Sequence, residues 1–254
     1  MLTILLIRGL SRQQGHWGEF PSILTQTLNK QGLDVNLVFE DLPGFGARNQ
    51  QNSPSSIEKI AELLAPTLES LYKKEGHKIH LLGISMGGMV ALALAQRFPD
   101  YCESLVMINS SVKPVSRFYQ RLQPIAYPVF IKAWFHPFKH QSEREILNIS
   151  TELYKNDPKV LARWVGLREQ APPNRIAAFK QILAASRFKA PDIAPLQRIL
   201  LVASKRDRIA HYACTLKLAK FWKLEYSLHE QAGHDIPLDA PEWLANELMQ
   251  FLFR

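Results

Sequence analysis

The chain has 254 residues, 46% of them hydrophobic and 21% charged, with 12 Gly and 16 Pro. That composition excludes collagen-like and low-complexity chains, and at about 150 residues per domain the length fits one large domain, or one domain with an insertion. Lys and Arg number 31 against 23 Asp and Glu, a net charge of +8, and the two cysteines, Cys102 and Cys214, exclude a disulfide framework and an all-cysteine zinc or iron–sulfur site.

Thr3 to Ile7 is an apolar run ending in Arg8-Gly9. It reads as a buried first strand: a signal peptide needs a basic leading segment and a small-residue cleavage site, and Arg8 breaks the run. No run of about 20 apolar residues follows, so no transmembrane segment is expected. With two free, buried thiols the reading is a reducing compartment, the cytoplasm. Phe20 to Lys30 has the apolar face of a helix. Val35 to Phe39 reads as a second strand, and Ser53 to Ser56 as the capped entry to a helix from Ile57. Lys78 to Leu82 is a third strand, Met89 to Phe98 a helix stopped by Pro99, and Leu105 to Ile108 a fourth strand. Ile199 to Ala203 and Leu224 to Leu228 are the fifth and sixth, with helices at His211 to Lys220 and Pro241 to Phe253. Strands alternating with helices, and apolar on both faces, mean βαβ units and a mainly parallel six-stranded sheet.

Residues 112–190 break that rhythm. Seven prolines and many aromatics occur there, helical pieces at Glu143 to Tyr154 and Lys159 to Gln170 are expected, and no strand is evident. The segment reads as a helical insertion, with 1–111 and 191–254 forming the core. It holds 14 basic and 5 acidic residues, a net +9, so it carries the whole charge imbalance. Such a field attracts anionic partners, although a solvated basic surface has the same composition.

The chemistry-bearing stretch is Gly83-Ile84-Ser85-Met86-Gly87, between an apolar strand and an apolar helix. Gly-x-Ser-x-Gly in that setting demands a sharp turn that lifts the Ser85 hydroxyl out of the sheet, with small residues where backbones meet. A serine hydroxyl needs a base, and the base an acid to orient it. Asp207 follows the fifth strand and His234 the sixth, 122 residues after Ser85 and then 27 further. Asp235 and Asp41 are competing acids; Asp235 adjoins the histidine and reads as a loop or helix-capping residue. His229 belongs to the end of the last strand. The backbone amides of Met86, at the helix start, and Leu10, after the first strand, are the candidate oxyanion donors. The metal and nucleotide patterns sought (H-E-x-x-H, paired cysteines, a P-loop lysine) are missing, so no metal or cofactor is expected. Nor is a nucleic-acid reader motif found.

With GISMGG, Asp207 and AGHD the chain resembles the α/β-hydrolase superfamily, in its cap-bearing branch. The resemblance implies an α/β-hydrolase fold with a helical cap over the site, a Ser85–His234–Asp207 triad, and an oxyanion hole at Leu10 and Met86. Two features depart from the pattern. Arg8-Gly9 stands where His-Gly is usual, and the chain begins directly with the strand that two antiparallel strands usually precede. DLPGFG at 41 to 46 and the length are similar to the pimeloyl-acyl-carrier-protein methyl ester esterases of biotin synthesis. That likeness implies an acidic carrier protein docking at Arg117, Arg121, Lys132, Arg144 and Lys155. Trp17, Phe118, Tyr119, Phe138 and Trp164 are the candidate substrate-lining aromatics, although each could equally be cap core. General carboxylesterases and C–C bond hydrolases share the triad, and a noncatalytic binding protein could share the fold.

Overall fold

The computed structural model describes residues 1–135 and 139–253. Strands β1 (Leu2–Ile7), β2 (Val35–Glu40), β3 (Ile79–Ile84), β4 (Cys102–Ile108), β5 (Ile199–Ser204) and β6 (Tyr226–His229) form a six-stranded sheet. Its order is β2-β1-β3-β4-β5-β6, and each neighbouring pair is parallel. The inner strands β1, β3, β4 and β5 are buried almost throughout, whereas β2 and β6, at the edges, are half-buried.

Helices cover both faces, as an all-parallel sheet requires. The helices α1 (Phe20–Asn29), α2 (Ile57–Glu75) and α3 (Met86–Arg97) belong to the first half of the core. Ser56 caps α2 by accepting from the Lys59 amide at 3.3 Å, and Gly76 ends it in the left-handed region at φ 72°. The inserted segment contributes α4 (Phe118–Arg121), α5 (Ala126–Phe135), α6 (Lys139–Ser150), α7 (Pro158–Gln170) and α8 (Arg175–Arg187). The chain closes with α9 (Ala213–Trp222), α10 (Ile236–Asp239) and α11 (Pro241–Phe253). Alternate strand residues feed opposite layers, the two-residue period of a pleated strand. Leu5, Leu81, Met107 and Leu201 pack with α2, α3 and α9; Leu6, Leu82, Val106 and Val202 pack with α1 and α11.

The structure extends two of the expected elements toward the serine. β3 continues through Gly83 to Ile84, and α3 begins at Met86 rather than Met89, so that Ser85 is the single residue between them. The insertion leaves and rejoins the core at one place: the Lys113 amide donates to the Phe188 carbonyl (3.2 Å) and the Ala190 amide to the Lys113 carbonyl (2.7 Å). No sheet strand lies between residues 112 and 190 among the described residues. The strand order reverses direction between β1 and β3, and in open parallel sheets the crevice at such a switch, above the carboxyl ends of the strands, is where ligands sit.

Candidate active site

Ser85 stands in that crevice. Its φ of 57° lies in the left-handed region, an uncommon place for a residue with a Cβ. The backbone holds it there from two sides: the Ser85 amide donates to the Ile108 carbonyl at 2.8 Å, and the Ser110 hydroxyl donates to the Ser85 carbonyl at 2.7 Å. The neighbouring glycines are required by contact. A Cβ on Gly83 would meet the Gly87 carbonyl oxygen at 2.4 Å, and one on Gly87 would meet the Ile7 carbonyl oxygen at 2.2 Å. A Cβ on Gly9 would come within 3.0 Å of the Ser85 Cβ, so the turn after β1 lies directly against the serine. Leu10 is next along that turn, and Met86 opens α3, where the first N–H groups have no intrahelical acceptor.

His234 and Asp207 pair at the edge of the cavity that Ser85 lines. His234 Nδ1 is 2.7 Å from Asp207 Oδ2, with both side chains buried. The other Asp207 oxygen accepts from the amides of Ile209 (2.7 Å) and Ala210 (2.9 Å), so the carboxylate is fixed in one orientation. Asp207 accepts at Nδ1, which leaves His234 Nε2 as the lone-pair nitrogen. Ser85, His234, Leu10 and Met86 all line one cavity of about 600 Å³ beneath the cap.

The loop carrying His234 is held by residues the sequence motifs do not mark. Asn109, itself at φ 46°, donates to the His234 carbonyl (2.9 Å) and accepts from the Ser204 amide (2.9 Å). The Ser204 hydroxyl donates to the Gly233 carbonyl at 2.5 Å, and the Gly233 amide donates to Asp239 Oδ2 at 2.7 Å. Asp239 also accepts from the Thr151 hydroxyl and the Glu152 amide, which ties the end of α6 to the same loop. For Asn109 and Ser204 the only signal was a short polar residue at the end of a strand; Asp239 and Thr151 had none.

Asp235 stands at the N-cap position of α10, as its place in the loop suggests. Its side chain caps nothing; it takes two hydrogen bonds from Arg8, Nη1 to Oδ1 at 3.1 Å and Nη2 to Oδ2 at 2.6 Å. Asp41 lies elsewhere, accepting from the amides of Gln14 and Ala47, and burial raises its pKa. His229 accepts from the amides of Gln231 and Ala232 and packs on Trp243. Cys102 and Cys214 are free and buried, and burial pushes the Cys102 thiol up to about 12.

The candidate aromatics divide. Phe118 lines the cavity and is largely exposed. Trp17 does not line it: the indole is core, under Phe20 and the Arg8 guanidinium. Trp164 is likewise removed from the cavity at 0% exposure, packed against His16 and Arg12. Large flat rings found the best-packed sites, which are interior ones. Tyr119 points outward, its hydroxyl accepting from Arg117 at 3.1 Å. Phe138 lies outside the described residues. Of the basic residues expected on the docking face, Arg117, Lys132 and Arg144 are exposed, and Lys155 is exposed but paired with Glu152 at 2.6 Å. Arg121 is not on that face: it lines the cavity and donates to the last carbonyls of α8, Ala185 (2.5 Å) and Ser186 (3.1 Å).

Among the described residues no group of three His, Cys, Asp or Glu side chains is placed to hold a metal ion, and no helix is long and apolar enough to cross a membrane. Residues 4–247 match the Alpha/beta hydrolase family. Over 241 residues the chain is 29% identical to the pimeloyl-[acyl-carrier protein] methyl ester esterase of Vibrio vulnificus, covering 92% of this chain and 91% of that one. Over 180 residues it is 26% identical to the biotin biosynthesis bifunctional protein BioHC of Teredinibacter turnerae, covering 68% of this chain but only 27% of that protein's length. The structure is similar to that of a thermophilic esterase from Thermogutta terrifontis, with a TM-score of 0.75 and 21% identity over 100% of this chain and 90% of that one. The chain belongs to the alpha/beta hydrolase family.

Proposed function

We propose that this member of the alpha/beta hydrolase family is a serine hydrolase of carboxylic esters, working through an acyl-enzyme. The observation that carries the reading is the 2.7 Å bond between His234 Nδ1 and Asp207 Oδ2, in a cavity shared with a Ser85 held at positive φ. In this reading His234 Nε2 takes the proton as Ser85 Oγ attacks the ester carbonyl. The Leu10 and Met86 amides receive the oxyanion, and His234 returns the proton to the departing alcohol. Water, activated by the same nitrogen, then releases the acid. Asp207 keeps the imidazole in the required tautomer and stabilises its charged form.

The finer reading is a methyl ester of an acyl chain borne on an acyl carrier protein, such as pimeloyl. It rests on similarity to the esterase of Vibrio vulnificus and on the exposed cations Arg117, Lys132 and Arg144, which face outward from the cap. A free small-molecule ester is the competing substrate class. The two buried, free thiols support residence in a reducing compartment, the cytoplasm.

The test is hydrolysis of a dicarboxylic monomethyl ester attached to acyl carrier protein beside the same acyl methyl ester free in solution, at low and high salt. A preference for the carrier-bound ester that fades with salt is expected. Equal or better turnover of the free ester would overturn the carrier reading. In Ser85→Ala, labelling by an organophosphonate should vanish and kcat should fall on the order of 10⁴-fold or more; retained turnover would overturn the hydrolase reading itself.

A further inference from the structure

The cavity lining holds more positive charge than it neutralises. Among the described residues five arginines line the cavity (Arg8, Arg12, Arg121, Arg168 and Arg175), against two carboxylates, Glu143 and Asp235. Asp235 is fully engaged by Arg8. Glu143 is shared: Arg12 Nη1 donates to its Oε2 and Arg168 Nη1 to its Oε1, each at 2.8 Å. Burial alone would raise the Glu143 pKa, but the two guanidinium groups hold it below the usual carboxylate range, so it contributes one full negative charge. His16 adds no charge. Burial, with Arg12 and Arg8 nearby, lowers its pKa well below the ordinary value, and its Nε2 accepts from Arg12 Nη1 at 2.8 Å. Two guanidinium groups therefore face one carboxylate. Arg175, the first residue of α8, brings a third cation to the same lining from an exposed position.

Arginines cannot shed this charge by deprotonation. Nor is the cluster loosely held: Arg12 is 9% exposed, its guanidinium lies 4.4 Å from the Trp164 ring centroid, and its amide donates to the Gly9 carbonyl at 3.2 Å. Gly9 is the residue pressed against Ser85, so the loop that carries Arg12 starts at the serine. Much of the rest of the wall is apolar, with Met86, Met89, Phe130, Ile131 and Ile182, beside polar groups such as Asn109 and Ser111. A fixed, partly desolvated cation excess beside an apolar channel favours a ligand with an apolar body and an anionic end.

We propose that Arg12, Arg168 and Arg175 form an anion subsite, so that the ester cleaved at Ser85 carries a free carboxylate at the far end of an apolar chain. This rests on the hydrolase reading above, taken with its free small-molecule ester rather than the carrier-bound one, whose far end is a thioester with no free carboxylate, and it adds the charge of the substrate. It also reassigns part of the basic character of the insertion from its outer face to the cavity.

The test compares monomethyl esters of straight-chain dicarboxylic acids with the corresponding dimethyl esters, which differ only in the free carboxylate. Binding is read calorimetrically with Ser85→Ala, and turnover with the unsubstituted chain. At the best chain length the half-ester should bind about tenfold more tightly than the diester. The same ratio should be found in kcat/KM, expressed through KM. In Arg175→Glu, a change at an exposed position, and in Arg168→Gln the ratio of half-ester to diester should collapse toward one; a merely structural role would lower both esters together and leave the ratio intact. Equal binding of the two esters, or a ratio untouched by both substitutions, would overturn the subsite even while Ser85-dependent turnover persists. A half-ester that binds selectively but is never hydrolysed would keep the subsite and overturn the hydrolase reading.

Discussion

Arg8 and Asp235 are 227 residues apart in sequence and form a bidentate ion pair, with the two residues 3% and 2% exposed. The pair joins the two loops on which the proposed chemistry depends: Arg8 precedes the Gly9-Leu10 turn against Ser85, and Asp235 follows His234. The Arg8 guanidinium also lies 4.9 Å from the Trp17 ring centroid, which fixes its plane. With Arg8 engaging both of its oxygens, Asp235 is occupied away from the imidazole, and Asp207 alone holds Nδ1.

Asp235→Asn should leave a buried guanidinium without its counter-charge. Breaking one partner of such a pair costs about 3–5 kcal/mol, whereas replacing both by apolar residues costs far less. Urea unfolding should therefore find Asp235→Asn much less stable than the double change Arg8→Met with Asp235→Leu. If the single change were the milder one, the pair would not be the clamp described. Turnover should fall in both variants, because each frees the His234 loop from the turn after β1.

Gly87→Ala should damage folding rather than chemistry alone. The added Cβ would meet the backbone oxygens of Ile7 (2.2 Å) and Arg8 (2.6 Å), which have no side-chain freedom to withdraw. A loss of about 1–3 kcal/mol, or more, is expected, seen as a lowered midpoint in thermal or urea unfolding. Gly166→Ala is the control, since a Cβ there meets no atom within 4 Å; it should be neutral or slightly stabilising, as Ala exceeds Gly in helix propensity.

Acid should destabilise the fold through its buried imidazoles. Burial lowers the His80 pKa to about 4, and its Nδ1 lies 2.8 Å from the Ser104 hydroxyl; burial and the charges of Arg12, Arg8 and Arg163 lower His16 in the same direction. In the unfolded chain both return to about 6.5, so between that value and the folded one the unfolded chain binds more protons. Stability from these groups is complete above about pH 6.5 and is lost as the pH falls toward 4. Urea midpoints measured across that interval should slope less steeply in His80→Gln. An unchanged slope would remove His80 from the account.

Much of the core is legible along the chain, because its signals are local. The apolar runs that end in Gly, Ser or Asn mark β1, β3 and β4, and Ser56 ahead of Ile57 marks the start of α2. The cap is less legible. In α8 the buried face is Ala177, Ala178, Gln181 and Ala184, while Ile176, Phe179 and Ile182 are exposed. The usual pattern is inverted there, so hydrophobic periodicity points to the wrong face. Trp17 and Trp164 mislead for a related reason. A sequence marks an aromatic as apolar but does not say whether it faces a cavity or the interior.

By itself the sequence determined the strand–Ser85–helix turn, since φ-permissive glycines and the change from strand to helix pattern all fall within a few residues. It also determined that Asp207 and His234 follow successive strands, and parallel βαβ connection brings the ends of such strands to one edge. The sequence already favoured Asp207 as the partner of His234, but only the tertiary structure showed what each acid pairs with. Asp235 is the nearer carboxylate to His234 in sequence, yet it pairs with Arg8, and Asp207 receives the imidazole from 27 residues away. The same holds for Arg12, Glu143 and Arg168, drawn from three separate elements. Ion pairing depends on separation in space and on burial, and neither is set until the loops have closed on one another.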